Sequence, residues 1–387
     1  MGIQIRSSNS VVPLEASERD ALNYLKNPFV SHAFLSALER SGSVGQTAGW
    51  QVCMLEIWQD NDQLVGILPA WIKLHSYGEY VFDWSWADAA MRAGIDYYPK
   101  LVVAVPFTPS MGPRFLTSAD FWQQSKSEQT EWGRAIGSAL DEWCQSQGLG
   151  SWHVLFADSQ EHDFWRAAAG LERLDCQYYW SNQGWSTFGD FLEALQSRKR
   201  KEIRKERQQM ISMGFEFEHL TGSQITARHM QVFYEFYRIT YLKRSGHAGY
   251  LQPTFFTELA RNLAAQVLLV FARQGSDYIA GSLFFFDRHQ LYGRYWGTLE
   301  EYDGLHFECC YYQGLDFALA RSLRGFDSGA QGEHKIKRGF APRITRSFHR
   351  FLHAGLESSI RQFCDREAPA VLDWRESCRS RLPYHAV

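Results

Sequence analysis

At 387 residues the chain is too long for one typical core and fits two domains of about 180 residues each. Its residues are 45% hydrophobic and 15% aromatic, which supplies ample core material and excludes a largely disordered chain. A net charge of −3 excludes a globally basic nucleic-acid binder but leaves room for a local basic patch. In chain order, the first forty residues read as helical, with Leu22, Leu25, Phe34, Leu35 and Leu38 at helical spacings, a break at Asn27-Pro28 and a stop at Gly42. Strands are expected at 51–57 and 64–74, joined by the turn Asp60-Asn61-Asp62, and again at 100–107 before the proline loop PFTPSMGPR. A helix over 131–146, a strand over 152–157, a short helix around Phe164 and a strand over 176–180 complete the first half.

Asn182-Gln183-Gly184 reads as the domain boundary, giving domains 1–184 and 185–368 and a tail, 369–387, without a strong pattern. The second half opens with a long helix, 187–213. Helices near 225–243 and 254–264 follow, then strands at 267–272 and 278–286. Seven cysteines without a CxxC pair suit free thiols in a reducing compartment. The start, MGIQIRSSNS, has no apolar leader core, and no apolar run approaches the ~20 residues of a membrane span, so a cytoplasmic location is expected.

Shifting the first half by 215 positions lays residues 51–80 on 266–295 without a gap, with nine of thirty positions identical. Gly66 falls on Gly281 and Tyr80 on Tyr295, so two copies of one αβ unit are expected, each with a YG-x-Y element at an equivalent place.

The densest chemistry lies in Leu291–Phe340. An aromatic strand, an acidic loop, a roughly twenty-residue helix and the strand Phe326–Ala330 run into the cluster Glu333-His334-Lys335-Ile336-Lys337-Arg338-Gly339-Phe340. Strand, helix and strand in that order bring two strand ends and one helix start together. Acyl transfer to an amine needs a proton acceptor and a cation for the oxyanion. Glu333 or His334 could serve as the base, and Lys335 or Lys337 as the cation. Arg294 and Tyr295 on the neighbouring strand could reach the same spot. Beyond this segment, DWSWAD offers Asp83, Trp84, Trp86 and Asp88 as a pocket that stacks on a substrate and pairs with its amine. The run 198–207, seven bases against two acids, offers Arg200, Lys201 and Arg204 as an anion-binding face, against the plain alternative of a solvated helix with i,i+4 pairs. His349-x-x-x-His353 has zinc-like spacing on a helix but no glutamate or cysteine partner, so no metal is expected. No Walker loop, GxGxxG, GxSxG or CxxC is present, which leaves phosphotransfer, dinucleotide redox and serine-hydrolase chemistry without support.

The segments NPFVSHAFL (27–35), HSYGEYVFDW (75–84), YYPKL (97–101) and GAQGEHK (329–335), with Ala280-Gly281 and the closing Lys337-Arg338-Gly339-Phe340, resemble the bacterial FemAB-like family of the GNAT acyltransferase superfamily. The resemblance covers nearly the whole chain. It implies an α/β (α+β) fold of two tandem GNAT-like domains in a Fem-like arrangement, each a mixed β-sheet flanked by helices. It also implies transfer of an acyl or aminoacyl group to an amine of a small molecule or cell-wall precursor. The donor would be an acyl-CoA or an aminoacyl-tRNA, and tRNA would then be a partner. Lys337-Arg338-Gly339-Phe340 is similar to the lysine-x-glycine-phenylalanine segment at the active site of Fem-type transferases, which makes Lys337 the first choice for charge stabilisation.

One departure bears on the donor. GNAT acetyltransferases cradle the coenzyme A pyrophosphate in a Gly-rich loop at a helix start, where backbone N–H groups make an anion site. Here that place reads GTLEEYDGLHFE, with Glu300, Glu301 and Asp303, which suit the helix dipole and repel a pyrophosphate. Two classes of function stay open: an N-acyl or aminoacyl transferase, and a non-catalytic GNAT-like protein that binds a cell-wall precursor or RNA.

Overall fold

The computed structural model describes residues 2–12, 16–23, 25–59, 62–330 and 332–385. Asp60 and Asn61 of the expected turn and Gln331 of GAQGEHK lie outside them. Two compact units divide the chain, Met1–Cys176 with Ile344–Asp373, and Gln177–Arg343 with Trp374–Val387, in place of breaks at 184 and 368.

The first unit holds β1 (Ile3–Ser8), β2 (Trp50–Val52), β3 (Met54–Gln59), β4 (Gln63–Leu68), β5 (Ala70–Lys73), β6 (Lys100–Val103), β7 (Leu116–Thr117) and β8 (Ser151–Leu155). Strand β9 (Leu171–Ser181) leads out of it. The second unit holds β10 (Phe215–Thr221), β11 (Val267–Gln274), β12 (Asp277–Phe286), β13 (Gln290–Thr298) and β14 (Gly325–Asp327), and β15 (Ala341–Phe351) leads back. The two units share a construction. In the first, β1 lies antiparallel to β3 and β2–β3 forms a hairpin with β4–β5. Next, β6 lies antiparallel to β5, β8 parallel to β6, and β15 closes antiparallel on β8. The second repeats the plan with β10, the β11–β12 hairpin, β13 antiparallel, β14 parallel and the end of β9 antiparallel. A parallel neighbour needs a crossover. The helix Lys126–Ser146 makes it in the first unit, started by a Ser125/Glu128 capping box. In the second unit it is the helical run from Leu305 to Ala320. Each unit has its own core, around Leu55, Leu68, Trp152, Phe164 and Phe348 in the first and around Trp180, Phe284, Leu315 and Phe326 in the second.

The 215-residue repeat does not hold as written. The β3–β4 and β11–β12 hairpins are built alike, each with a bulge in its second strand, but the bulges fall at Val65 and Ile279, one residue off the shift. Tyr80 stands in the loop before a helix with φ 59, whereas Tyr295 is inside β13. The YG-x-Y elements are therefore on unrelated structures, and the tandem character rests on strand topology instead. The cause is an insertion: 26 residues separate β5 from β6, where only three separate β12 from β13. Other local readings also change. Residues 3–8 are a strand, the 187–213 helix is broken into Phe188–Glu193 and Ser197–Ser212, and the tail is mostly a helix, Ala354–Arg379.

Candidate functional site

Parallel pairing of β13 with β14 stops at Tyr292–Asp327, while β13 runs six residues further against β12 alone. The two strands part there and leave an opening. At the parting point Arg294 is the extra residue of a bulge, since Tyr295 faces Leu283 and Gly293 faces Phe284. A bulge re-aims its side chain, and Arg294 reaches across to Asp327 with N–O 2.7 Å, its side chain only 2% exposed. Tyr295 goes the other way, packing on Tyr237 and Phe256. The structure thus separates Arg294 from Tyr295, because neighbouring strand residues leave on opposite faces.

The charged cluster after β14 is a 3-10 helix, Glu333–Arg338, which splits its side chains by depth. Lys335 is buried and its Nζ donates to the carbonyls of Gly329 and Ala330, both at 2.9 Å. Burial pulls its ammonium down to about 8, against the pull of Asp327. The His334 ring is hydrogen-bonded to Tyr311 Oη at 2.9 Å. Burial, with Lys335 and Arg338 nearby, lowers that imidazole to about 4. Tyr311 comes from a π turn, Glu308–Tyr312, a geometry often found at functional sites. Arg338 is buried with its guanidinium 3.5 Å over Phe307 and paired to Glu206. Lys337 is exposed and makes no hydrogen bond or ion pair among the described residues. Glu333 pairs with Arg381 at 3.1 Å rather than with Lys337.

Beside this cluster lies a cavity of about 470 Å³, walled by Trp296 and Thr298 of β13, the loop through Glu300 and Asp303, the helix start at His306, and Arg244. Gly297 makes that wall possible. A side chain there would meet the Phe236 backbone at 2.1 Å, so the Ala227–Ser245 helix crosses β13 in direct contact. His306 was not apparent from the sequence; only its place two residues past Gly304 could have signalled it. Burial, His334 and Arg244 lower its imidazole to about 3. Below the unfolded histidine range both rings lose stability to protonation. The stability of the second unit should therefore be fully present above pH 6.5 and fall as pH drops toward 4. Thermal melts across that window check it, and H306Q/H334Q should flatten the dependence.

In the first unit the corresponding parting of β6 and β8 is filled by the chain itself. Arg114, in the proline loop, is buried and donates to the carbonyls of Leu155 and Ser110, each at 2.7 Å. The inserted segment instead builds a buried ion cluster. Lys100 Nζ lies 2.8 Å from Glu79 Oε2 and 3.0 Å from Ser76 Oγ and also donates to Asp83 Oδ2, with all four residues buried. Burial opposes the Lys100 charge, but the two carboxylates outweigh it and hold the ammonium above the usual lysine range. Burial raises Glu79 to about 7 and lowers Lys73, whose Nζ sits 3.7 Å over Trp50, to about 7.

A family profile described as peptidoglycan biosynthesis/recognition, FemAB-like, matches residues 10–386. The chain belongs to the FemAB-like family. Among solved structures it is similar to FemX, with 12% identity, TM-score 0.52, and 92% of this chain and 100% of that one covered. It is also similar to the C-terminal domain of a putative lysylphosphatidylglycerol synthetase from Agrobacterium fabrum, with 9% identity, TM-score 0.50, and 90% and 94% covered. These two likenesses show the fold, which is one of two tandem GNAT-like domains of mixed sheet and helices. A tandem GNAT protein from the clavulanic acid biosynthesis pathway aligns at 8% identity and TM-score 0.45 over 91% and 99%. No curated protein matches the sequence.

Two of the FemAB-like segments, HSYGEYVFDW and YYPKL, meet in the Lys100 cluster. They bring Ser76, Glu79 and Asp83 to Tyr97 and Lys100, and Tyr97 Oη donates to Asp83 at 2.6 Å. The DWSWAD pocket is not assembled as expected. Asp83 is held by Lys100, and Trp86 is in the core, edge-on to His349 at 4.9 Å. Trp84 and Asp88 point outward, Trp84 against Tyr77. Alternation along the helix Trp84–Arg92 is the reason: residues 84, 88 and 91 share its exposed stripe, and 86 and 90 its buried one. His349 is on β15, paired to His153 Nδ1 at 2.8 Å, and His353 caps the N–H of Leu356, so the two do not share a helix. Among the described residues no group of three His, Cys, Asp or Glu could hold a metal ion.

The basic run forms the helix Ser197–Ser212. Arg200 and Arg204 both pair with Glu193, Arg198 and Lys199 with Glu202, and Arg207 with Glu308 and Asp316. Lys201 and Lys205 are exposed, with no ion pair among the described residues. The helix is thus laced with local pairs, and its unpaired charge is concentrated at Lys201 and Lys205.

Proposed function

We propose that this FemAB-like protein is an N-acyl or aminoacyl transferase that acts at the β13/β14 opening of its second unit and modifies an amine of a small molecule or cell-wall precursor. The observation that carries this reading is Lys337, an exposed and unpaired cation on a helical turn anchored by buried Lys335 and Arg338. A cation held on a rigid support stabilises a developing oxyanion without reorganising at the moment of reaction. A protein that only binds needs no such group. Arg294 and Asp327 neutralise each other and tie the ends of β13 and β14 together, a supporting role. Of the two donor classes, the Glu300, Glu301 and Asp303 loop favours aminoacyl-tRNA over acyl-CoA, because carboxylates at that helix start repel a pyrophosphate. No described helix is long and apolar enough to cross a membrane.

The test is to incubate the full chain separately with aminoacylated total tRNA and with acyl-CoA donors, in the presence of an amine panel that includes nucleotide-linked cell-wall precursors. New amide products are then sought by mass spectrometry. A new amide is the expected outcome; tight precursor binding without any amide would favour the non-catalytic class instead.

If tRNA is the donor carrier, the Ser197–Ser212 helix is the surface to bind it. Replacing Arg200, Lys201 and Arg204 by glutamine should weaken binding of total tRNA and flatten its salt dependence, by about one unit of slope for each phosphate left without its cation. Filter binding across a salt series reads this directly. An unchanged slope would assign the run to ordinary helix solvation.

A further inference from the structure

At the end of β13 and β14 away from the opening, where Gln290 pairs with Gly325, the β12–β13 turn borders another cavity, of about 450 Å³. Arg288 of the turn and Arg321, just past the helix Gln313–Ala320, line it with Gln266, Phe286, Asp287 and Leu323. Both arginines are exposed, and among the described residues neither guanidinium makes an ion pair or a hydrogen bond. Arg324 is a third of the same kind, tied to the turn by its backbone N–H, which donates to the His289 carbonyl at 2.7 Å. The carboxylate in the lining does not neutralise them. Asp287 accepts instead from the N–H groups of His289 and Gln290, at 2.7 and 2.9 Å, and from Tyr292 Oη at 2.7 Å. Surface arginines elsewhere are paired: Arg166, Arg238 and Arg273 each meet a carboxylate, at 2.6, 2.9 and 2.6 Å. In a chain of 43 acidic and 40 basic residues, three unpaired arginines at one turn are a local excess. Arg321 is also fixed in place. Its guanidinium stands 4.8 Å from the ring centres of both Phe286 and Phe317, which holds its plane and leaves its N–H groups to a ligand.

We propose that this cavity binds the phosphate or diphosphate group of a small molecule, at a site separate from the opening. Arg288 and Arg321 present two planar forks of N–H donors. A phosphate dianion has charge and oxygens enough for both, whereas a carboxylate answers one fork and leaves the other bare. The cavity is larger than a phosphate, so the remainder of the ligand lies against the apolar part of the lining, Phe286 and Leu323. A nucleic acid fits less well. Its phosphodiesters carry one charge each and call for cations spaced along a groove, not gathered at one turn. The paired ends of β13 and β14 stand between this cavity and the opening, so the site does not depend on the transferase reading.

Phenylglyoxal modifies accessible arginines, and peptide mass mapping of the full chain reads each of them separately. Inorganic pyrophosphate should protect Arg288 and Arg321 while leaving Arg134, exposed on the Lys126–Ser146 helix of the first unit, as reactive as before. A uridylate oligonucleotide at equal phosphate concentration should protect neither. In a ³¹P NMR titration, R288Q/R321Q should weaken pyrophosphate binding about tenfold or more, because two groups that make charge-assisted hydrogen bonds are lost. R321K should weaken it too, since an ammonium keeps the charge but not the fork. Both positions are exposed, so neither change threatens the fold. Equal reactivity of Arg288 and Arg321 with and without pyrophosphate would overturn the site. Protection by the oligonucleotide in place of pyrophosphate would overturn the small-molecule ligand and give the turn to nucleic acid. Binding that R321K leaves at full strength would reduce the site to general surface charge and overturn it equally.

Discussion

K100M should destabilise the first unit by about 3–5 kcal/mol, the cost of breaking a buried ion pair by removing one partner. Lys100 is fully buried, and its single ammonium satisfies Glu79, Asp83 and Ser76 together. Methionine keeps most of the volume, so packing is nearly preserved and the loss is electrostatic. Without the cation, two carboxylates share a buried site in which Glu79 Oε1 and Asp83 Oδ1 already have no hydrogen-bond partner. At least one carboxyl must then stay protonated or draw water in. The triple change E79Q/D83N/K100M should recover part of the loss, because it removes the stranded charges as well as the cation. Denaturant unfolding, with hydrogen exchange read over residues 74–100, measures both. A K100M protein with unaltered protection there would show that the cluster does not hold the insertion in place.

K337M should lower turnover by roughly two orders of magnitude or more while leaving the melting temperature nearly unchanged. The two halves of this expectation have separate grounds. The stability half follows from exposure: Lys337 has no hydrogen bond or ion pair among the described residues, so little folding energy goes with it. The rate half follows from the proposed role, since a cation that acts on the oxyanion contributes in the transition state far more than in the ground state. K337R is the informative companion. It keeps the charge but not the compact shape of the ammonium, and should restore only part of the rate. Changes at Lys335 would not separate the two effects, because its ammonium also holds the Gly329 and Ala330 carbonyls.

The αβ character of the two units was legible in the sequence because it depends on local signals. Strand alternation and crossover helices announce αβ units, and Gly304, the acidic loop and the KRGF segment punctuate the second one. Depth was not legible. Nothing in Glu333-His334-Lys335-Ile336-Lys337-Arg338 says that Lys335 and Arg338 turn inward while Lys337 turns out, since that follows from three residues per turn in a 3-10 helix. Pairing across long separations was equally hidden. Lys100 takes its partners from 17 and 21 residues away, and Glu333 meets Arg381 48 residues on. DWSWAD read as a pocket because its composition is that of one, yet Lys100 claims Asp83 and the core claims Trp86. The Tyr80–Tyr295 correspondence failed for a similar reason, as the long β5–β6 insertion places matching letters on unlike structures.

The central claim is that the β13/β14 opening transfers an acyl or aminoacyl group to an amine with Lys337 as the stabilising cation. The most direct measurement gives the full chain total tRNA charged with ¹⁴C-labelled amino acids, together with the amine panel, and follows label into base-stable amide. Label should appear in amide with the unaltered chain and fall to a small fraction of that with K337M at equal tRNA binding. Amide formation that K337M leaves undiminished would contradict the account.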